Sequence, residues 1–258
     1  MSPSRRRTVA VSGSASGIGA AVRRRYERAG ARVIGIDRVE AEVTADLSTT
    51  EGRASATAAV AGLADGILDG VVVCAGLGPH VRPTGDIARV NYFGAVSLLD
   101  GLLEALAVGE APAAVAIASN AAGITPPHQG LLDALAAGDE DMARSLAESL
   151  DGATVYGNSK LALARAVRHR AAAWGSAGVR LNAVAPGPIE TPLLEGTLAD
   201  PTLGPLVEAL PVPLGRRGSA EEVAAVVAFL LDPAHGFVHG AVLFVDGGSD
   251  AQLRPDAV

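Results

Sequence analysis

Short apolar runs rich in β-branched residues alternate with longer helix-patterned stretches along the whole of this 258-residue chain, and no other feature restricts its fold so much. The runs Thr8–Ser12, Arg32–Asp37, Gly70–Cys74, Ala113–Ser119, Val179–Val184 and Ala241–Val245 are apolar on both faces. That is the pattern of parallel strands covered on both sides, since a half-solvated strand would alternate with polar residues. Between them, Gly17–Ala29, Glu51–Leu63, Ile87–Ala107, Tyr156–Trp174 and Ala220–Leu231 read as helices, the last opened by a capping box from Ser219 to Glu222. Strand and helix in alternation predict an α/β fold: a doubly wound parallel sheet with helices on both faces. No Pro-, Gly- or Ser-rich linker splits the chain, so residues 1–258 are expected to form a single domain.

Two stretches interrupt the rhythm. Residues 128–151 read as an inserted helical excursion with a polar helical pattern from Leu131 to Leu150, and its acidic cluster Asp139–Asp141 reads as a solvated helix start. Residues 188–214 are punctuated by Pro188, Pro192, Pro201, Pro205, Pro211 and Pro213. A long irregular segment inside a domain is often a lid or binding loop.

Composition narrows the partners. Hydrophobic residues make up 49% of the chain and aromatics only 3%, so the core must be built from Ala, Val, Leu and Ile. A net charge of −7 argues against nucleic acid, whose phosphates it would repel. Cys74 is the only cysteine, so no intramolecular disulfide can form, and a reducing, cytoplasmic setting is expected. The basic Arg5–Arg7 is followed by an apolar run, Val9–Val11, too short for a signal peptide, and no stretch is long enough to cross a membrane. His235 and His239 have helical i,i+4 spacing, but Gly236 and Gly240 break such a helix and no third ligand is evident, so no metal is expected.

The first strand runs into a glycine-rich turn, Ser12-Gly13-Ser14-Ala15-Ser16-Gly17-Ile18-Gly19, that opens the first helix. Glycines there allow a pyrophosphate close to the backbone, and the helix N-terminus offers free N–H groups and partial positive charge. Asp37 ends the second strand 18 residues after Gly19. A carboxylate at that place accepts hydrogen bonds from adenosine ribose hydroxyls and repels a 2′-phosphate, which favours NAD over NADP. Arg38 is the counter-argument, because it could hold that phosphate, whereas Ser16 stands where a basic residue would have helped. Asp46 and Leu47 follow a short extended run, Ala41–Ala45, and either meet the adenine or cap a helix.

Tyr156 and Lys160 are four residues apart in Tyr156-Gly157-Asn158-Ser159-Lys160. Such residues share a helix face, and a cation beside a phenol stabilises phenolate, drawing the pKa down from about 10. A tyrosine in that state exchanges protons near neutral pH.

Taken in order, the turn at 13–19, Asp37, Asp46, Cys74-Ala75-Gly76, Asn91, Ser119, the Tyr156/Lys160 pair, Pro186-Gly187 with Thr191, and Asp246-Gly247-Gly248 resemble the short-chain dehydrogenase/reductase family, of Rossmann-type fold. Within it, Cys74–Pro79, Val90–Ala95, Arg170–Leu181, Glu190–Leu194 and the tail through Arg254-Pro255 are similar to the bacterial 3α-hydroxysteroid dehydrogenase/carbonyl reductase group. The resemblance implies an NAD-dependent oxidoreductase interconverting a secondary alcohol and a ketone. In it Tyr156 would exchange the proton, Ser119 would hold the substrate oxygen, and Lys160 would lower the tyrosine pKa and bind the nicotinamide ribose. Asn91 would kink its helix and hold a water, Gly76 and Pro186-Gly187 would give the cofactor room, and Ile189 and Thr191 would bind its carboxamide.

The chain departs from the family pattern in two places. Ser119 is 37 residues before Tyr156, a gap that the 128–151 insertion accounts for, and Asn120 is a rival for the serine's place. Cys74 replaces a common Asn and reads as a small buried apolar side chain. The substrate is expected to be a steroid or a similarly bulky apolar carbonyl, covered by Ile189, Leu193, Leu194, Leu198, Leu203, Leu206, Val207 and Leu210 unless these are ordinary packing. A terpenoid or acyl-derived ketone and a non-catalytic cofactor sensor are the alternatives. The excursion lies between the helices through which family members form tetramers, so a homodimer is expected, a tetramer being the alternative.

Overall fold

The computed structural model describes residues 5–257. Its strands are β1 (Thr8–Ser12), β2 (Arg32–Asp37), β3 (Val43–Thr44), β4 (Gly70–Val73), β5 (Ala113–Ile117), β6 (Arg180–Pro186), β7 (Ile189–Glu190), β8 (Gly218–Ser219) and β9 (Val242–Val245). Seven of them form one sheet in the order β3-β2-β1-β4-β5-β6-β9, every pairing parallel. The alternation had predicted this doubly wound sheet. Its strand order reverses between β1 and β4, and in such sheets the ligand crevice opens at the carboxyl ends on either side of that point.

Side-chain alternation divides the core between the two faces. Ala10, Val71, Val73, Ala114 and Ala116 face the helices Thr50–Leu63 and Gly152–Ser176, together with the helical stretch between Thr84 and Ala107. Val9, Val11, Val72 and Val115 face Gly17–Arg28 and Ala220–Leu231. Burial on both faces is what the continuous apolar runs required.

Three local differences from the sequence expectation have identifiable causes. First, β4 stops at Val73, because the next backbone donors, Cys74 N and Ala75 N, bond the Ser12 hydroxyl at 3.0 and 3.1 Å. Second, the predicted helix Ile87–Ala107 is broken into Thr84–Ala88, a π-helical turn Arg89–Gly94, Ala95–Gly101 and Leu103–Ala107. The π turn coincides with Asn91, whose side chain is fully buried and bonded to Leu77. Third, the helix carrying Tyr156 begins at Gly152, where the Asp151 carboxylate accepts from Thr154 N at 2.9 Å.

The excursion folds into Gln129–Ala137 and Glu140–Glu148. Asp139 caps the second helix, but Glu140 is not merely solvated: Arg53 and Arg89 both bond its carboxylate. The proline-punctuated stretch contains Pro192–Leu198 and Leu203–Glu208, and the β7–β8 pairing closes its two ends like a clasp. No helix among the described residues is long and apolar enough to cross a membrane.

Candidate active site

A cavity of about 510 Å³ opens along the carboxyl ends of the strands and runs from the glycine turn to the 192–210 segment. The turn forms one end. Gly13 has φ +68°, and a Cβ there would lie 2.8 Å from Ala75 N; a Cβ on Gly19 would collide with the Gly13 carbonyl. These residues must therefore be glycine for the loop to close. Ser16 heads the helix in extended conformation with no side-chain cap, which leaves the first-turn N–H groups available to an anion. Ser16, Gly17, Ile18 and Gly19 all face the cavity, but Ser14 does not: it is buried with its hydroxyl against Gly35. Its side chain therefore faces away from the cavity.

Asp37 is held by two backbone donors, Ala15 N at 3.0 Å and Arg38 N at 2.7 Å. Its carboxylate is thus fixed at the end of β2 on the cavity wall, with the exposed Arg38 beside it. Asp46 and Leu47 complete that side. Thr49, not Asp46, caps the helix Thr50–Leu63, by accepting from Gly52 N at 3.0 Å. Asp46 accepts from Ser48 N at 2.9 Å, and bonding by Ser48 holds its carboxyl below the usual range.

Ser119, Tyr156 and Lys160 meet at the middle of the cavity. Burial raises the Tyr156 phenol above its ordinary value, and the neighbouring Ser119 hydroxyl offsets part of that rise. Lys160 was expected to be the residue that lowers Tyr156. Its ammonium is held by the Ile117 carbonyl at 2.7 Å. Burial lowers Lys160 itself to about 8. The neighbouring thiol of Cys74 is pushed by burial to about 12, so it remains protonated and behaves as an apolar group. Asn120 sits next to Ser119 with its backbone N–H on the Pro186 carbonyl at 2.8 Å, but the hydroxyl that reaches the tyrosine is that of Ser119.

Asn91 lies behind the cavity wall. Its Oδ1 accepts from Leu77 N at 2.7 Å and its Nδ2 donates to Leu77 O at 3.1 Å and to Ser159 Oγ at 3.3 Å. A Cβ on Gly76 would come 3.2 Å from that Oδ1. Cys74, Ala75, Gly76, Pro186, Gly187, Ile189 and Thr191 line the far wall.

The residues between Tyr156 and Lys160 also position the site, which their spacing did not reveal. Asn158 is buried, accepts from His128 N at 2.8 Å and donates to Pro126 O at 3.1 Å, so it ties the start of the excursion to the tyrosine helix. Gly157 has no room for a Cβ beside Thr125. The one sequence signal was a helix-interior Asn flanked by small residues, a poor helix former that needs a side-chain role.

Several known proteins are similar to this chain. A family model described as enoyl-(acyl carrier protein) reductase matches residues 149–250. The 3-alpha-hydroxysteroid dehydrogenase/carbonyl reductase of Comamonas testosteroni is 49% identical over 96% of this chain and 98% of its own. The crystal structure of the 3-alpha-hydroxysteroid dehydrogenase from Pseudomonas sp. B-0831, complexed with NADH, superposes with a TM-score of 0.94 at 47% identity, covering 97% of this chain and all of that one. A structure described as a short chain dehydrogenase/reductase family protein matches at TM-score 0.70 and 28% identity, over 95% of this chain and 97% of that chain.

Proposed function

This chain belongs to the short-chain dehydrogenase/reductase family, and on that premise we propose that it is an NAD-dependent oxidoreductase interconverting a 3α-hydroxysteroid, or a similarly bulky apolar alcohol, with its ketone. The observation that carries the reading is the cavity itself. It joins a glycine turn with an uncapped helix N-terminus and a fixed Asp37 carboxylate to a Ser119–Tyr156 hydroxyl pair under an apolar roof. The residues present fit a dinucleotide: the turn admits a pyrophosphate, and Asp37 suits an unphosphorylated ribose.

NAD would supply the hydride acceptor for oxidation, and its reduced form the hydride for reduction. The rest of the chemistry falls to the chain's own side chains. The Tyr156 oxygen, as phenolate, takes the hydroxyl proton of the alcohol during oxidation, and the resulting phenol gives that proton to the carbonyl oxygen during reduction. Ser119 holds that oxygen by a hydrogen bond and keeps the phenol closer to its ionised form. Lys160 contributes a buried cationic donor beside Gly76, where a cofactor ribose would come. Leu193, Leu194, Leu203, Leu206, Val207 and Leu210 shield the reacting centre from water and give a polycyclic substrate its contact area.

Purified protein is offered NAD with a 3α-hydroxysteroid, its 3β epimer and a simple secondary alcohol, each repeated with NADP. Oxidation of the 3α epimer with NAD is the expected result. Turnover of the simple alcohol alone would reject the steroid, and no turnover with any alcohol or ketone would point to the cofactor-sensing alternative.

The unit is taken as one domain, 1–258, with an insertion at 128–151 and a substrate segment at 188–214. The insertion helices pack on Thr84–Ala88 and on the tyrosine helix, so that face is already covered within the chain. A homodimer would use the opposite edge, where β9 and its neighbours expose Phe229, Phe237 and Phe244. A cytoplasmic setting agrees with the lone Cys74. Light scattering checks the first point, with a tetramer counting against it.

A further inference from the structure

A histidine joins the cavity's roof to its floor by a side-chain hydrogen bond. His80 lies in the loop after β4, outside the residues assigned to catalysis or cofactor binding, and its Nδ1 is 3.1 Å from the hydroxyl of Thr197 on the helix Pro192–Leu198. Thr197 is buried, lines the cavity, and gives its hydroxyl proton to the Leu193 carbonyl at 2.9 Å. A hydroxyl has one proton, so the hydrogen in the contact with His80 is the one on Nδ1, and the imidazole donates.

The ring is also seated by shape. A Cβ on Gly78 would come 2.8 Å from His80 Nδ1, and one on Gly196 would come 2.6 Å from Nε2. Two glycines, one from the floor loop and one from the roof helix, thus leave a slot the thickness of one imidazole. The Leu193 side chain meets the same place, 3.2 Å from a Cβ built on Gly78. The segment is also tied near its ends, by the β7–β8 clasp and by Leu214 N on the Gly247 carbonyl at 3.1 Å, so the His80–Thr197 bond acts at the middle of the span.

We propose that His80 is a positioning residue that fixes the roof helix Pro192–Leu198 over the substrate half of the cavity, and so sets preference for bulky apolar substrates over small ones. The part about bulky substrates rests on the proposed function; the part about the helix does not. A small alcohol reacts at Ser119 and Tyr156 without needing the roof, whereas a polycyclic one draws its binding from Leu193, Leu194 and their neighbours.

The test uses His80→Ala, His80→Asn and His80→Gln in the full-length protein. An Asn side chain carries its amide nitrogen where Nδ1 is, and a Gln carries it near Nε2, so only Asn can restore the bond to Thr197. Hydrogen exchange of the 193–199 amides without cofactor or substrate reads the helix directly. Protection is expected to drop about tenfold in His80→Ala and His80→Gln, the loss of one net hydrogen bond, and to stay near wild type in His80→Asn. KM for a 3α-hydroxysteroid should rise by a similar factor in the first two with kcat unchanged, while KM for cyclohexanol stays within about twofold. Unchanged exchange in His80→Ala, or equal loss in the Asn and Gln variants, would overturn the proposal. If the wild type oxidises no hydroxysteroid, the substrate reading fails, while the exchange data still decide the role of His80.

Discussion

Lys160 donates its ammonium hydrogen to the carbonyl of Ile117 at 2.7 Å, which fixes the cation at the end of β5, two residues before Ser119. Helix geometry brings the lysine to the tyrosine's face, as the i,i+4 spacing requires, but the buried ammonium satisfies itself on the backbone. An unpaired buried cation is costly, and a carbonyl is a good acceptor.

That burial makes Lys160 a stability liability with a definite pH dependence. Its folded pKa, about 8, is below the ordinary 10.5, so above pH 8 the unfolded chain binds more protons than the folded one. Stability from this group therefore rises with pH across that window, and the penalty is fully present below it. The shift corresponds to roughly 3 kcal/mol, and losing the bond to Ile117 takes back about 1 kcal/mol. Cofactor-free Lys160→Met is expected to be about 2 kcal/mol more stable than wild type at pH 7, with the gap closing towards pH 10.5. Urea titrations at several pH values measure this. A constant gap would mean that the lysine is not desolvated.

Ser119 and Tyr156 can be separated by pH. Ser119 is the neighbour that lowers the tyrosine against the effect of burial. Removing it in Ser119→Ala should move the pH profile of alcohol oxidation to higher pH as well as lower kcat. Tyr156→Phe should lose on the order of a thousandfold or more in kcat at every pH and still bind NADH. A Ser119→Ala profile that merely falls without moving would show that the hydroxyl does not act on the phenol.

The strands and the glycine turn were legible because their signals are local: apolar runs bounded by Gly, and a turn that only glycine can make. Asp37 was legible because its place at the end of the second strand follows from counting. Contacts distant in sequence were not. The family resemblance pointed to a kink at Asn91, but nothing near it announces that its side chain will bond Leu77, and nothing near Glu140 announces Arg53, 87 residues away in sequence. The direction of the Ser14 side chain was hidden for a related reason. Ser14 belongs to the right turn, yet its side chain points at Gly35, and a motif fixes which residues are near a ligand better than which way each one faces.

Asp37 is expected to set cofactor choice. Its two oxygens are already engaged by Ala15 N and Arg38 N, so the carboxylate cannot swing away from an incoming 2′-phosphate. Asp37→Asn keeps the shape and removes the charge. NADP turnover should rise about tenfold relative to NAD, since a like-charge contact of this kind is worth on the order of 1–2 kcal/mol near a surface. Steady-state kcat/KM with both cofactors measures the ratio. If the ratio stays put, discrimination lies elsewhere on that wall.

The excursion is held to the body by Glu140, and this too can be measured. Arg53 is almost fully buried, Arg89 is partly buried, and both bond the Glu140 carboxylate. Burial raises the Glu140 pKa, but the two guanidinium hydrogen bonds outweigh it and the net shift is downward. A depressed carboxylate contributes stability above its unfolded value, near 4.3, and loses it as pH falls through the folded one. Glu140→Gln leaves the Arg53 guanidinium without its counter-charge. Breaking a fully buried pair costs about 3–5 kcal/mol, and the carboxylate here keeps some solvent contact, so about 1–3 kcal/mol is expected at pH 7. The deficit should shrink as pH falls below the unfolded value towards the folded one, where wild type loses the same interaction. Denaturant melts of both proteins at pH 7 and pH 3.5 test the sign directly. A deficit equal at the two pH values would mean that the carboxylate holds the excursion by shape and not by charge.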